Sequence, residues 1–240
     1  MTYLADFGPF FGVDTHQSTD PLTAPWINFA ALLSSDGELL TARVRRVQAA
    51  LGLGAQTDVD IRIAASVAHL GLVARVLAPT LAARALGDPP ISLAPGDLWW
   101  QDELGGPYPL SVTSLESRLS PGESATTDCA GSQPVATQPD AIQPDAIAAL
   151  TEAMSARFGV SARTLSGNVA SAANSAARLI GDARPALTDA ARAAADEILA
   201  DPRIEDGVLR AGPGFRRNSC CLIYRVSGSR DAVCGDCVLV

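Results

Sequence analysis

Four of the five cysteines in this 240-residue chain fall within Phe215–Cys237, as Cys220, Cys221, Cys234 and Cys237. A cysteine-poor chain that gathers four thiols into one short tail uses them together. Three uses are open: two disulfides, a tetrathiolate zinc site, or an iron–sulfur cluster. The N-terminus has no basic n-region, and Asp6 interrupts it before an apolar h-region can form. The chain therefore reads as cytosolic, where thiols are kept reduced. The two metal uses remain.

Spacing bears on the choice between them. Cys234-Gly-Asp-Cys237 is a two-residue-gap chelate that suits either metal, with Gly235 allowing a tight wrap. The other pair, Cys220-Cys221, is adjacent. Structural zinc sites draw thiolates from pairs separated by two to four residues, because both must converge on one ion. Neighbouring side chains in an extended backbone point to opposite faces, so converging them needs a turn. A two-iron cluster is a larger target whose iron atoms offer separate positions to four thiolates. Spacing favours the cluster and leaves zinc open.

The run Arg216-Arg217-x-Ser219-Cys220-Cys221-Leu-x-Tyr224-Arg225, followed by Cys234-Gly-Asp-Cys237, resembles the signature of the FhuF-type ferric-siderophore reductases. The resemblance implies that the four cysteines bind a [2Fe–2S] cluster and that the protein reduces iron imported as a hydroxamate-type chelate. Twelve residues, Leu222 to Val233, separate the two pairs, a longer spacer than the family's. The extra length falls in Ser227-Gly-Ser-Arg-Asp231, a turn-forming run between strand-like ends at 222–226 and 232–233. A longer hairpin tip need not move ligands at its base.

Composition sets the fold class. The chain is 48% hydrophobic, poor in aromatics and rich in alanine, which predicts a mainly helical fold. The expected class is α+β, predominantly helical, with bundle-like halves, a few short strands and a C-terminal cysteine-rich hairpin. The expected division is a helical region with short strands over 1–114, a Pro/Ser/Thr/Gln-rich linker over 115–145, and a second helical region over 146–240. Within the linker, Gln138-Pro-Asp-Ala-Ile142 repeats at once as 143–147, and Cys129 reads as an idle thiol. The net charge of −8 speaks against nucleic acid and gives no support for an anionic membrane surface. The most apolar run, Ile61 to Leu81, carries Arg62, His69, Arg75 and Pro79, so no integral membrane segment is expected.

Along the chain, 26–33 reads as a short amphipathic helix and 37–53 as a second, stopped by Gly52 and Gly54, with Arg43, Arg45 and Arg46 on a solvated face. Thr57 and Asp60 suggest a capping-box start to a helix from Val59 to about Ala78, which Pro79 should kink or break. Arg62, Ser66 and His69 form its polar stripe. His16, in a polar stretch with Asp20, reads as a surface or capping histidine; His69 reads as hydrogen-bonded at the core's edge. Short strands are expected at 91–93, 97–101 and 109–113. Helices are expected at 146–158 capped by Asp145, from Ser161 with a Leu165, Val169, Ala172, Ala176, Ile180 seam, and at 187–200. Gly167-Asn168 resembles a recurring Gly-Asn step of the family.

Arg216, Arg217 and Arg225 are candidates to compensate the cluster's negative charge, and Ser219 and Tyr224 to donate hydrogen bonds to sulfur. Trp99 or Trp100 is a candidate for packing near a bound chelate or the cluster, against the alternative of one core and one half-exposed sheet residue. No dinucleotide or phosphate-loop motif is present, so electrons should come from a separate donor such as a ferredoxin. The main expectation is a cytosolic ferric-siderophore reductase with no catalytic side chain beyond its cluster. An iron–sulfur electron carrier or redox sensor that binds no chelate, and a zinc-stapled interaction protein, are the alternatives.

Overall fold

The computed structural model describes residues 2–17, 22–34, 36–56, 58–114, 145–227 and 233–239. The expectations for Asp20, Thr57, Cys129, nearly all of the 115–145 linker and the tail's turn at 228–231 lie outside these residues. Seven α-helices, α1 Phe29–Leu32, α2 Glu38–Ala55, α3 Ile61–Leu86, α4 Asp145–Phe158, α5 Ala162–Ala183, α6 Thr188–Leu199 and α7 Tyr224–Ser227, accompany four short strands among the described residues. The architecture is α+β and mainly helical.

Helix α3 is the central post. Its alanines, leucines and valines leave almost no polar face, and 18 of its 26 residues are buried, the mark of a helix enclosed on all sides. It is long and apolar enough to cross a bilayer, but most of it is buried within the fold. It packs chiefly on α5 and also meets α2, α4 and α6, so the helices either side of residues 115–144 share one core. Pro79 lies inside α3 without ending it. A proline in a helix costs about 3 kcal/mol, and the buried run Ala78–Ala83 around it offsets that loss. The helix ends at Gly87, whose φ of 76° suits a residue lacking Cβ.

Helix α5 begins as expected: the Ser161 side chain accepts from Thr164 N, the N-cap bond that satisfies an orphan donor. Its seam residues Leu165, Val169, Ala172, Ala176 and Ile180 are all buried.

Other expectations need correction. Residues 26–33 divide into a strand, β2 Ile27–Asn28, and the single turn α1, because the Asn28 side chain caps Ala30 N. Gly52 and Gly54 do not stop α2, which runs to Ala55 and ends where Gln56 adopts a left-handed conformation. Arg43 is not on a solvated face. It is buried and pairs with Asp102 at 2.6 Å, over the rings of Trp100 and Tyr108. No strand forms at 91–93.

The four-stranded sheet has the order β1-β4-β3-β2, with β1 (Asp14–His16) parallel to β4 (Leu110–Thr113) and β3 (Leu98–Trp100) antiparallel to both β4 and β2. His16, expected at the surface, is buried in β1: Nδ1 lies 2.9 Å from Ser111 Oγ and Nε2 3.3 Å from Thr113 Oγ1. Sheet and helices are joined by buried Arg75, whose guanidinium donates to the Tyr108, Phe10 and Gly12 carbonyls at 2.8, 2.9 and 2.5 Å. Tyr108 returns the link by donating to Leu72 O.

Candidate metal centre

The chain enters the cysteine tail through Gly212, whose N–H donates to Asn174 Oδ1 on α5, and Phe215, which is buried. Beyond it the tail lies against α5 with no space between. A Cβ on Gly167 would overlap Ser219 Oγ, stand 2.6 Å from Glu205 Oε1 and 3.2 Å from Arg217 Nε. Glycine at 167 is therefore the opening into which the tail seats. Its neighbour Asn168 is fully buried, donating from Nδ2 to Ser66 O and Ser66 Oγ and accepting from Arg217 Nη1 at 3.0 Å. Ser66 in turn donates to the carbonyl of Cys221 at 2.8 Å. A polar chain thus runs from α3 through α5 to the cysteines.

Arg217 is the hub. It is 1% exposed; Nε donates to Ser219 O at 2.7 Å, Nη1 to Asn168 and also to Ser171 Oγ, and its backbone N–H to Asp236 O at 3.0 Å. One arm holds the stretch before Cys220 and the backbone holds the Cys234–Cys237 loop. Nη2 is buried without a hydrogen-bond partner, a costly state for a charged donor unless an acceptor arrives. Arg216, by contrast, is exposed.

Glu205 fixes the same stretch from the other side. It is buried, with φ 50° beside Asp206 at φ 64°, and its carboxylate accepts from Asn218 N at 2.6 Å and Ser219 Oγ at 2.5 Å. Ser219 therefore does not donate to sulfur; its hydroxyl is committed to Glu205. The Tyr224 hydroxyl accepts from Arg225 Nε at 3.5 Å, and Arg225 is exposed. Backbone amides donate to sulfur instead, among them the Leu222 N–H, 3.3 Å from Cys220 Sγ.

The expected strand at 222–226 does not form. Leu222 takes φ 69°, a left-handed conformation that breaks an extended run, and 224–227 coil into α7 through bonds such as Arg225 N to Leu222 O. The strand reading of 222–226 rested on its apolar character beside a turn-forming run. The turn needed to separate two adjacent cysteines overrides it.

All four thiols are free, with Cys221 and Cys237 buried and Cys220 and Cys234 half-buried. They stand as two nested pairs: Cys221 Sγ lies 3.9 Å from Cys234 Sγ, and Cys237 Sγ 4.0 Å from Cys220 Sγ. Two thiolates on one tetrahedral metal ion with bonds of ~2.3 Å stand roughly 3.8 Å apart, so each pair is spaced for one ion. Among the described residues no group of three or more metal-ligating side chains gathers around a single point. Two pairs, with a buried arginine that keeps one nitrogen unpartnered, fit a two-iron cluster better than one zinc ion. The hydrogen bond from Cys234, backbone N–H groups of Ile223 and Cys221, and the Arg217 charge hold the Cys221 thiol at about 6, against the opposing effect of burial. The bond to Cys221, then burial, pushes Cys234 upward. Burial raises Cys220 and also the Asp236 carboxyl between the last two cysteines, partly opposed by Ser171 and the Arg217 charge.

The Trp candidates lie in the sheet. Trp100 is core, edge-on to Tyr108 at 5.5 Å; Trp99 is half-buried with its ring 6.2 Å from that of His16. His69 is buried on α3 with Nε2 3.0 Å from Thr151 Oγ1. Sequence reasoning missed Glu205 and Ser171. An acidic residue before Gly207 looks like any solvated turn, and one serine among α5's small residues looks like packing.

Comparison with known proteins agrees with this geometry. Residues 217–239 match the family described as the FhuF 2Fe-2S C-terminal domain. No curated protein and no solved structure matches the chain. The match is confined to the tail, which from Arg217 to Leu239 is similar to the [2Fe–2S] domain of the FhuF-type family.

Proposed function

We propose that this protein is a cytosolic ferric-siderophore reductase. In this reading Cys220, Cys221, Cys234 and Cys237 hold the cluster, which supplies a one-electron carrier when bound. One electron delivered to hydroxamate-chelated Fe(III) yields Fe(II), which hard oxygen ligands hold far less tightly, so iron is released. The observation that carries the reading is the family match over 217–239 falling on four free thiols arranged in two metal-spaced pairs.

The chain's own residues supply the setting. Arg217 places a buried positive charge beside thiolates, lowering the cost of adding negative charge there. Glu205, Asn168 and Ser66 fix the tail against α5 and α3, so the site keeps its shape between redox states. No side chain has to act as acid, base or nucleophile; the protein supplies potential, distance and a docking surface. Electrons come from a separate donor, a ferredoxin or similar small carrier.

The test is anaerobic purification, a visible spectrum before and after dithionite, and mixing of the reduced protein with a ferric trihydroxamate in the presence of a ferrous-specific chromophoric chelator. A brown protein that bleaches with dithionite, then regains colour as Fe(II) appears, supports the reading. Colourless protein with bound zinc sinks it. An intact chromophore that gives no Fe(II) leaves an electron carrier that binds no chelate.

A further inference from the structure

One face of α4, the N-terminal half of α5 and the turn at 201–204 after α6 enclose a hollow of about 470 Å³. Its floor is apolar and buried, built from Ile147, Val169 and Ile204. Its rim carries Glu152 and the ion pair of Asp201 with Arg203. Sites for small molecules have volumes of about 300–1,000 Å³ and combine an apolar lining with a few polar groups. The hollow of about 770 Å³ between α2 and α7 lies more open to solvent, so it offers a ligand less burial.

The α4–α5 hollow shares a wall with the cysteine tail. Ser166 lines it, and the next residue, Gly167, is the opening where Ser219 seats. Ile204 lines it too, and the next residue, Glu205, accepts from Ser219 Oγ at 2.5 Å. Ser219 immediately precedes Cys220. Two Cα–Cα steps of about 3.8 Å, joined by the Gly167–Ser219 contact, put the lining on the order of 10 Å from the Cys220 backbone. A molecule in the hollow is therefore next to the four thiols without touching them.

Charge selects the occupant. Two carboxylates, Glu152 and Asp201, against one guanidinium, Arg203, leave the lining with one net negative charge. Asp201 and Arg203 pair with each other, so that charge sits on Glu152, which is exposed at the rim. An anionic ligand would lose its water to an apolar floor and meet a carboxylate, a costly exchange. Fe(III) bound by three hydroxamates is neutral, and with one pendant ammonium it is a monocation. Either form suits an apolar floor under an acidic rim.

We propose that the ferric chelate docks in this hollow, with the organic backbone of a trihydroxamate on Ile147, Val169 and Ile204 and any pendant ammonium facing Glu152. The proposal rests on the reductase reading and adds the place of its substrate. The contacts that seat Ser219 between Gly167 and Glu205 then also hold the chelate at a fixed separation from the cysteines.

The experiment is calorimetric titration of the full-length, cluster-loaded protein with a gallium(III) trihydroxamate. Gallium(III) matches the charge of Fe(III) and is not reduced, so binding is measured apart from turnover. Two complexes are used, one with a pendant ammonium and one with that amine acetylated. Ala148→Trp, from the half-buried α4 wall, places an indole in the volume that the ligand needs and should weaken both complexes roughly tenfold or more. Glu152→Lys, at an exposed position, should weaken the cationic complex about fivefold, the scale of a surface ion pair, and leave the acetylated one unchanged. The visible spectrum of both variants should match that of the wild type. If Ala148→Trp loses its helical circular dichroism, Glu152→Lys decides alone. Wild-type affinity for both complexes in the folded variants overturns the docking site and leaves the reductase reading standing. Wild-type protein that keeps its chromophore but binds neither complex overturns both.

Discussion

Replacing Gly167 by alanine sets two magnitudes against each other. In a helix interior alanine is favoured over glycine by about 1 kcal/mol, so on α5 considered alone the change stabilises. The new methyl, however, would meet Ser219 Oγ, Glu205 Oε1 at 2.6 Å and Arg217 Nε at 3.2 Å. Overpacking a tight site costs about 1–3 kcal/mol, and displacing Ser219 from Glu205 forfeits a hydrogen bond to a buried charge, roughly 1.5–3 kcal/mol. The net expectation is destabilisation of about 3 kcal/mol, expressed as loosening of the cysteine tail. Gly71 on α3 is the control, since a Cβ there meets nothing within 4 Å. Gly71→Ala should stabilise by up to about 1 kcal/mol. The assay is guanidinium denaturation followed by helical circular dichroism and by cluster absorbance on the same samples. In Gly167→Ala the absorbance should be lost at lower denaturant than the helix signal. A Gly167→Ala protein as stable as the Gly71→Ala control, with its full chromophore, would refute the seating of the tail on α5.

Burial holds His69 neutral, lowering it from 6.5 to about 3. The unfolded chain takes up a proton below 6.5 that the folded one refuses, so His69 makes stability fall as pH drops from 6.5 toward 3, by up to about 1.4 kcal/mol per pH unit. His69→Gln should flatten the dependence of the denaturation midpoint between pH 7 and 5, and an unchanged slope would refute a neutral buried His69. Arg75→Leu strips three carbonyls of their donor and should cost about 3–5 kcal/mol, since unsatisfied buried acceptors cost about 1–3 kcal/mol each and add incompletely; calorimetry checks it. Arg75→Lys should recover only part, because a single ammonium cannot match the planar fork. Ser66→Ala removes the bond to the Cys221 carbonyl and should cost about 1–2 kcal/mol, read as faster chromophore loss on warming with little change in secondary structure.

The helices of the second half were legible because each signal was local and uncontested. Ser161 caps α5, and its seam repeats at helical spacing into a single buried face. The cysteine quartet was legible for another reason: thiols so concentrated admit few chemistries. What failed was competition between local pattern and distant packing. The arginines of α2 looked like one solvated face until Asp102, nearly sixty residues later, claimed Arg43. His16 looked polar because its neighbours in sequence are polar, while its partners Ser111 and Thr113 arrive by a parallel strand pairing across 95 and 97 residues. Residues 222–226 looked like a strand because apolar character outweighed the turn that two adjacent cysteines demand. Asn168 was visible only as half of a Gly-Asn step; that it carries Arg217 on one side and Ser66 on the other needs three segments brought together.

The enclosure of α3 has a consequence for how the protein is made. Its principal partner, α5, ends at Ala183, almost a hundred residues after α3 ends at Leu86. At translation rates of about 5–20 residues per second, the finished α3 waits roughly 5–20 s on the ribosome with an apolar surface that nothing yet synthesised can fully cover. A nascent chain of this design depends on early shielding of residues 61–86, and expression at high rate should reveal that dependence as aggregation of incomplete chains before any defect of the finished protein.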